Sequence, residues 1–317
     1  MSRKLLINCL LLIAIAAVVI IRANGPQGEV LFTGKSKVQT QVPLLQEEAK
    51  PQVKDEGRKA SASASLRERV SAEAAIVMDV KSKLVLWEKN ANEKLYPAST
   101  TKIITALTAR ELYDLDDVIT IEAGDLKFGQ NLGWQAGDRV KVRDVLRALL
   151  IVSANEAGMI LADHVPGGYD NFIMQMNQKA KSLGLTQTSF VNPQGFDDSL
   201  QQTTAHDLAI AALELWRDEF LREIVGTSAT TITTESGRSL SLRNTNHLLT
   251  QGGLSYEVKG IKTGTTNLAN EALVSLLEKD NQQLIAVVLS AKNRYNDTMA
   301  IADFAFDEYV WQQKAKN

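Results

Sequence analysis

A chain of 317 residues with 44% hydrophobic side chains can hold one large domain or two ordinary ones around a sizeable core, which excludes global disorder. Its 35 Lys+Arg against 37 Asp+Glu give a net charge of −2, which excludes a generally basic nucleic-acid binder, and no nucleic-acid partner is expected. One cysteine excludes an internal disulfide framework or a Cys-cluster metal site, and His164, His206 and His247 lack the spacing of a zinc motif, so neither metal nor cofactor is expected.

The charge is unevenly placed, with a net of +5 in residues 1–70 and −7 in the remainder, which points to two parts of different behaviour. Leu5–Ile21 is a nearly continuous apolar run broken only by Asn8 and preceded by Arg3 and Lys4. Residues 1–22 therefore read as a signal-anchor or transmembrane segment, with the N-terminus cytoplasmic and the rest outside. The expected place is a membrane, crossed once through residues 5–21. Val19–Gly25 offers a poor signal-peptidase site, which favours a retained anchor; a cleaved, secreted form is the alternative. Residues 23–66 are rich in Gln, Lys, Glu, Ser and Ala, include the run SASAS at 61–65, and read as a flexible linker that cannot bury enough apolar surface to offset ordering.

Residues 67–317 read as the folded domain. Ala74–Val80 (AAIVMDV) and Leu84–Glu88 (LVLWE) give a hairpin signal. Helical spacing follows from Ser99 to about Tyr113 after Pro97, then over Val142–His164, Phe172–Leu183 and Ala205–Ile224. Strand-like runs return at Thr230–Thr234, Leu240–Leu242, Val258–Lys262, Ala272–Leu277 and Leu284–Ser290, and a last helix is expected over Asp297–Gln312. Strands open and close the domain while helices fill its middle. That order predicts an α+β fold, an antiparallel sheet flanked by helices with a mostly helical subdomain, rather than a doubly wound parallel sheet.

Three short motifs carry chemistry. Ser99-Thr100-Thr101-Lys102 is Ser-x-x-Lys, which on a helix puts both side chains on one face. A serine hydroxyl needs a base to take its proton, and a lysine serves only if burial or nearby positive charge keeps it neutral. Ser153-Ala154-Asn155 ends an apolar stretch with two polar side chains suited to relaying a proton and orienting a substrate. Lys262-Thr263-Gly264-Thr265 ends a strand; its glycine admits close approach, and its charge and hydroxyls suit a carboxylate. Each alone fits an ordinary cap, helix break or strand end, but the three together in this order do not.

With the flanks AAIVMDVKSKLVLWEKNANEKLYPASTTKIITAL, GDRVKVRDVLRALLIVSANEAG and VKGIKTGTT, the set resembles the penicillin-recognising serine enzymes, and within them the D-alanyl-D-alanine carboxypeptidases of the low-molecular-weight penicillin-binding protein type, over about residues 70–310. The resemblance implies a β-lactamase/transpeptidase-like fold, peptidoglycan stem peptides as substrate and β-lactams as covalent inhibitors. It assigns Ser99 as nucleophile, Lys102 as its base, Ser153 and Lys262 as helpers in protonating the leaving D-alanine, and Asn155 as a guide for the acyl chain. Thr263 and Thr265 would bind the terminal carboxylate beside Gly264, backbone N–H groups of Ser99 and Thr265 would form the oxyanion hole, and Arg294 would pair with that carboxylate. Members commonly have Ala-Gly after the Lys-Thr-Gly turn, whereas Asn270 follows Ala269 here. No Glu-x-x-Leu-Asn segment lies between Ser153 and Lys262, which argues against a β-lactamase with a glutamate base. A D,D-endopeptidase that cuts cross-links, or a wall-binding homologue without turnover, is the alternative. The histidines read as capping or packing residues, with His247 the one near the Lys-Thr-Gly strand.

Overall fold

Why the runs at 74–80, 272–277 and 284–290 are apolar rather than alternating is answered by the computed structural model, which describes residues 50–127 and 132–311. In chain order its elements begin with β1 Pro51–Val53, α1 Glu56–Arg69, β2 Ala74–Asp79 and β3 Val85–Lys89. A 3-10 turn at Ala98–Thr101 runs into α2 Lys102–Leu112 and is followed by β4 Val118–Thr120, β5 Arg139–Lys141, α3 Val142–Ile151, α4 Asn155–Asp163 and α5 Gly168–Ser182. Then come α6 Ala205–Arg217, α7 Glu219–Gly226, β6 Ala229–Thr233, β7 Ser239–Arg243, β8 Glu257–Thr266, β9 Asn270–Lys279, β10 Gln282–Ala291, α8 Arg294–Glu308 and β11 Tyr309–Trp311. The central sheet is antiparallel throughout, in the order β3-β2-β10-β9-β8. The expected α+β class is met.

Both faces of this sheet are covered. Ile76, Met78, Val274, Leu276, Ile285 and Val287 join one core with residues of α2 to α7. Their neighbours Ala75, Val77, Leu273, Leu277, Ala286 and Val288 join a second core with Leu66 of α1 and Ile301, Ala302 and Ala305 of α8. Side chains alternate between faces along a strand, so burial on both sides demands an unbroken apolar run.

The linker reading of 23–66 is corrected over 51–66. Asp55 caps α1 by accepting from Arg58 N at 2.9 Å, and Leu66 is fully buried in the second core. The Ser/Ala run is compatible with a helix, and its single apolar anchor was too little periodicity to reveal one. β1 pairs with β11, Pro51 opposite Trp311, so this segment belongs to the domain. Leu66→Ala should lower stability by about 2–5 kcal/mol in denaturant unfolding; a loss below about 0.5 kcal/mol would restore the linker reading. Residues 23–49, and the expected membrane segment 1–22, lie outside the described residues. Among those described, no helix is long and apolar enough to cross a membrane.

Two expected helices are each split in two. The run 142–164 breaks at Ser153, whose φ of +64° no helix accepts. The run 205–224 breaks at Asp218, which caps α7 by accepting from Leu221 N at 2.9 Å. The last helix starts at Arg294, earlier than expected, and ends at Glu308. The short pair β4–β5 was not foreseen; with three residues per strand it offers no readable period.

Candidate active site

Ser99 lies in the 3-10 turn and Lys102 is the first residue of α2. Side chains three apart eclipse in a 3-10 turn, and Lys102 Nζ sits 2.9 Å from Ser99 Oγ. The turn is clamped from two sides. Thr100 Oγ1 donates to Pro97 O at 2.6 Å, and Ala98 has a φ of +48°. Gly195, at φ +89°, presses on the Ala98 carbonyl so closely that a Cβ there would stand 1.8 Å from Ala98 O. On β8, a Cβ on Gly264 would stand 3.0 Å from Ala98 Cβ and 3.1 Å from Ser99 N. These two glycines therefore serve as close-approach positions around the nucleophile.

The break in the helical run delivers the second motif. Ser153 in the left-handed region ends one helix and aims the chain so that Asn155 opens α4. Asn155 Oδ1 lies 2.9 Å from Lys102 Nζ, so this amide holds the base in addition to the expected role towards substrate. The third partner of Lys102 Nζ is Gln194 O at 2.7 Å, a contact the sequence reading missed. Its only signal was the turn chemistry of Asn192-Pro193-Gln194-Gly195.

Lys102 is fully buried, and burial first, then the charge of Lys262, push its amine well below the ordinary lysine value, with Glu156 opposing. Two of its three partners are carbonyl oxygens, which only accept. A neutral amine spends both its hydrogens on them and turns its lone pair to the Ser99 hydroxyl. The arrangement is that of a general base.

The Lys-Thr-Gly motif is not a strand end. β8 continues to Thr266, pairing with β9 up to Asn270, and forms one edge of the sheet beside Ser99. Buried Lys262 donates to Thr263 O at 3.0 Å, and burial followed by the charge of Arg294 lowers it to about 7. Thr263 Oγ1 and Thr245 Oγ1 are 2.6 Å apart. Asn270 takes a φ of +53°, and its Nδ2 donates to Ser290 Oγ at 3.0 Å. Asparagine tolerates the left-handed region better than most residues, so Asn270 can hold this turn.

Arg294 is buried rather than a surface cation. Its Nη1 donates to Gly264 O at 2.7 Å and Ala272 O at 3.2 Å, while Nη2 donates to Thr265 Oγ1 and lies 3.2 Å from Glu271 Oε1. The hydrogen bond from Arg294 leads the causes that hold the Glu271 carboxyl below its usual range. Thr265 Oγ1 accepts from Arg294 and keeps its own hydrogen for a ligand, so the arginine can reach a carboxylate through that hydroxyl.

Ser99, Ser153, Asn155, Thr263, Gly264, Thr265 and Arg294 line one cavity of about 370 Å3, and Lys102 and Lys262 lie buried against it through the contacts above. The cavity also takes Thr245, His247 and Tyr295, which the motifs did not name. His247 stacks on Tyr295, centroids 5.6 Å apart, and Tyr295 Oη donates to Thr245 O at 3.1 Å. The histidine read as packing is packed, and it stands in the cavity wall. His164 and His206 are not among the lining residues.

A buried lysine on a serine, a serine-and-amide turn and a Lys-Thr-Gly edge strand, set between an antiparallel sheet and a helical layer, form the arrangement of the penicillin-recognising serine enzymes. Within that class the chain belongs to the D-alanyl-D-alanine carboxypeptidase family, peptidase family S11, whose description matches residues 59–293. It is 34% identical over 247 residues to D-alanyl-D-alanine carboxypeptidase DacF of Bacillus subtilis, covering 75% of this chain and 63% of that one. It is 36% identical over 252 residues to D-alanyl-D-alanine carboxypeptidase DacC of Escherichia coli, covering 75% and 62%. The aligned chain spans about three fifths of the length of these curated relatives. The crystal structure of the Streptomyces K15 DD-transpeptidase matches with a TM-score of 0.69 at 28% identity, over 75% of this chain and 98% of that one.

Proposed function

We propose that this protein is a serine-type D-Ala-D-Ala carboxypeptidase that removes the terminal D-alanine from peptidoglycan stem peptides. The observation that carries the reading is the buried Lys102 amine, 2.9 Å from Ser99 Oγ and otherwise bonded only to carbonyl oxygens. Ser99 Oγ attacks the carbonyl carbon between the two D-alanines while Lys102 Nζ takes its proton. Backbone N–H groups of Ser99 and Thr265 hold the oxyanion. The terminal carboxylate takes hydrogen bonds from Thr263 and Thr265, with the Arg294 charge beneath. The C–N bond then breaks, and the proton that Lys102 took passes through Ser153 to the leaving amine, helped by the charge of Lys262, which leaves Lys102 neutral. Water then attacks the ester on Ser99, Lys102 takes the proton of that water, and it returns the proton to Ser99 Oγ as the ester C–O bond breaks. The edge of β8 suits an extended peptide laid alongside it.

β-Lactams are the expected covalent inhibitors, acylating the same oxygen. Placement on the outer face of the cytoplasmic membrane is supported by the apolar run Leu5–Ile21 and the charges ahead of it.

The test is D-alanine release from a stem pentapeptide ending in D-Ala-D-Ala. The full chain should release it, and Ser99→Ala should lower the rate by about 10⁴-fold or more. Equal rates would reject the nucleophile. Cleavage of cross-linked peptide with the pentapeptide untouched would replace the reading with a D,D-endopeptidase. Acylation by penicillin with no turnover of either substrate would make the protein a wall-binding homologue.

A further inference from the structure

The mechanism above uses three buried cationic side chains, Lys102, Lys262 and Arg294, and leaves one buried carboxyl unused. Glu156 is the second residue of α4, next to Asn155, whose amide oxygen lies 2.9 Å from Lys102 Nζ. It is 1% exposed. Its Oε1 accepts from Leu132 N at 2.7 Å, and among the described residues its buried Oε2 has no hydrogen-bond partner.

A buried carboxylate with one oxygen unspent is costly unless positive charge answers it. The first turn of α4 supplies part, because unpaired N–H groups at a helix N-terminus favour an anion. Side chains supply the rest. Helices α2, α3 and α5 pack against α4. On them Arg110, Arg143, Arg147 and Lys179 each pair with a carboxylate of their own, while Asp170 and Lys181 are exposed. Lys102 remains. Of the two charges that act on its amine, Lys262 of β8 opposes the ammonium form and Glu156 favours it.

The reaction gives this opposition a use. Lys102 starts neutral and becomes an ammonium as Ser99 loses its proton. Burial and Lys262 keep the amine free to act, yet the same two influences penalise the ammonium it must become. We propose that Glu156 is a positioning residue that acts through Lys102: its carboxylate is the buried counter-charge that stabilises the ammonium formed when Ser99 is acylated. The proton goes from Ser99 Oγ to Lys102 Nζ, the Oγ electron pair forms the bond to the carbonyl carbon, and Glu156 neither gains nor gives a proton. The inference rests on Lys102 as the base, and its test does not require peptidase activity.

Glu156→Gln is isosteric, keeps an oxygen for Leu132 N and removes the charge. The full-length protein in detergent micelles is acylated with benzylpenicillin over a range of pH, and the rate is read by intact mass. The acid limb should move down by about one pH unit, since an amine without its counter-charge keeps its lone pair to lower pH. The plateau rate should fall by about 10-fold, since that amine is a weaker base. The alkaline limb should stay in place, because burial and Arg294 act on Lys262. A role confined to holding Leu132 would lower the plateau and the melting temperature but leave the acid limb where it was. An unmoved acid limb in folded Glu156→Gln therefore overturns the proposal. A second measurement needs no folded variant of this kind: the 13C resonance of the Glu156 carboxyl in the wild-type protein should be that of a carboxylate wherever acylation proceeds, and a protonated carboxyl there also overturns it. A limb that moves as expected, in a protein that releases no D-alanine, keeps the counter-charge and overturns the carboxypeptidase reading instead.

Discussion

Lys102→Met should give a folded protein whose D-alanine release falls by about 10³–10⁴-fold, close to the loss of the nucleophile itself. The nitrogen is the only group placed to take the Ser99 proton within hydrogen-bond range among the described contacts, at 2.9 Å. Removing it also leaves Gln194 O and Asn155 Oδ1 without the donor they share, a stability loss of about 1–3 kcal/mol for each buried acceptor. A thermal melt therefore accompanies the rate. If folded Lys102→Met protein were acylated by a β-lactam at the wild-type rate, read by intact mass, the base assignment would fall. The pH dependence follows from the two buried lysines. Lys102 must be neutral, so release declines as pH drops below its lowered pKa. Lys262 must be protonated to help the leaving amine. Its pKa is lowered to about 7, so the group is charged below that value and neutral above it, and release declines as pH rises through about 7. Arg294 is the second cause of that lowering after burial. Arg294→Gln should therefore let Lys262 keep its proton to higher pH and move the alkaline limb upward. A limb that stays in place would show that Lys262 does not supply it.

Gly195→Ala should lower D-alanine release by about 10²-fold from outside the three motifs. The new methyl would stand 1.8 Å from Ala98 O and 2.9 Å from Ser99 N, where no van der Waals contact is tolerated, and both neighbours are backbone atoms. The φ of +89° adds strain. Either the 192–196 loop or the nucleophile turn must move, and both moves separate Lys102 from one of its partners. A shift of about 1 Å at the reacting atoms is worth about 10²-fold in rate, and stability should fall by about 3 kcal/mol or more. Gly237→Ala is the control: its φ is +86° but nothing lies within 4 Å of the added atom, so it should lose only about 1 kcal/mol and no activity. Equal melting temperatures and rates for the two variants would refute the clamp.

The route from sequence to site was uneven, for physical reasons. Motif chemistry located Ser99, Lys102, Ser153, Asn155, Lys262 and Thr263 because each needs a particular functional group at short range along the chain. Gln194 escaped, since it contributes a backbone carbonyl that any residue carries. Thr245 and Tyr295 escaped, and His247 was noted only for its nearness to the Lys-Thr-Gly strand, because common residue types become a cavity wall only through packing. Arg294 was found, but its hydrogen bonds to Gly264 O, Ala272 O and Thr265 Oγ1 were not legible, because they join residues more than 20 positions apart. The α1 helix was read as linker, because one buried leucine in a Ser/Ala segment carries no period until α8 lies against it.

By itself the sequence determined the order of strands and helices, the α+β class and the three motifs, because apolar runs and short-range spacing are local properties. Only the tertiary structure decided that Ser153 breaks a helix to deliver Asn155 onto Lys102, 2.9 Å away across 53 residues of chain. The same holds for the depth of burial that lowers both lysines, and for the contact of Gly195 with Ala98. A pKa and a close approach depend on what surrounds a group in space, and residues far apart in the chain set those surroundings.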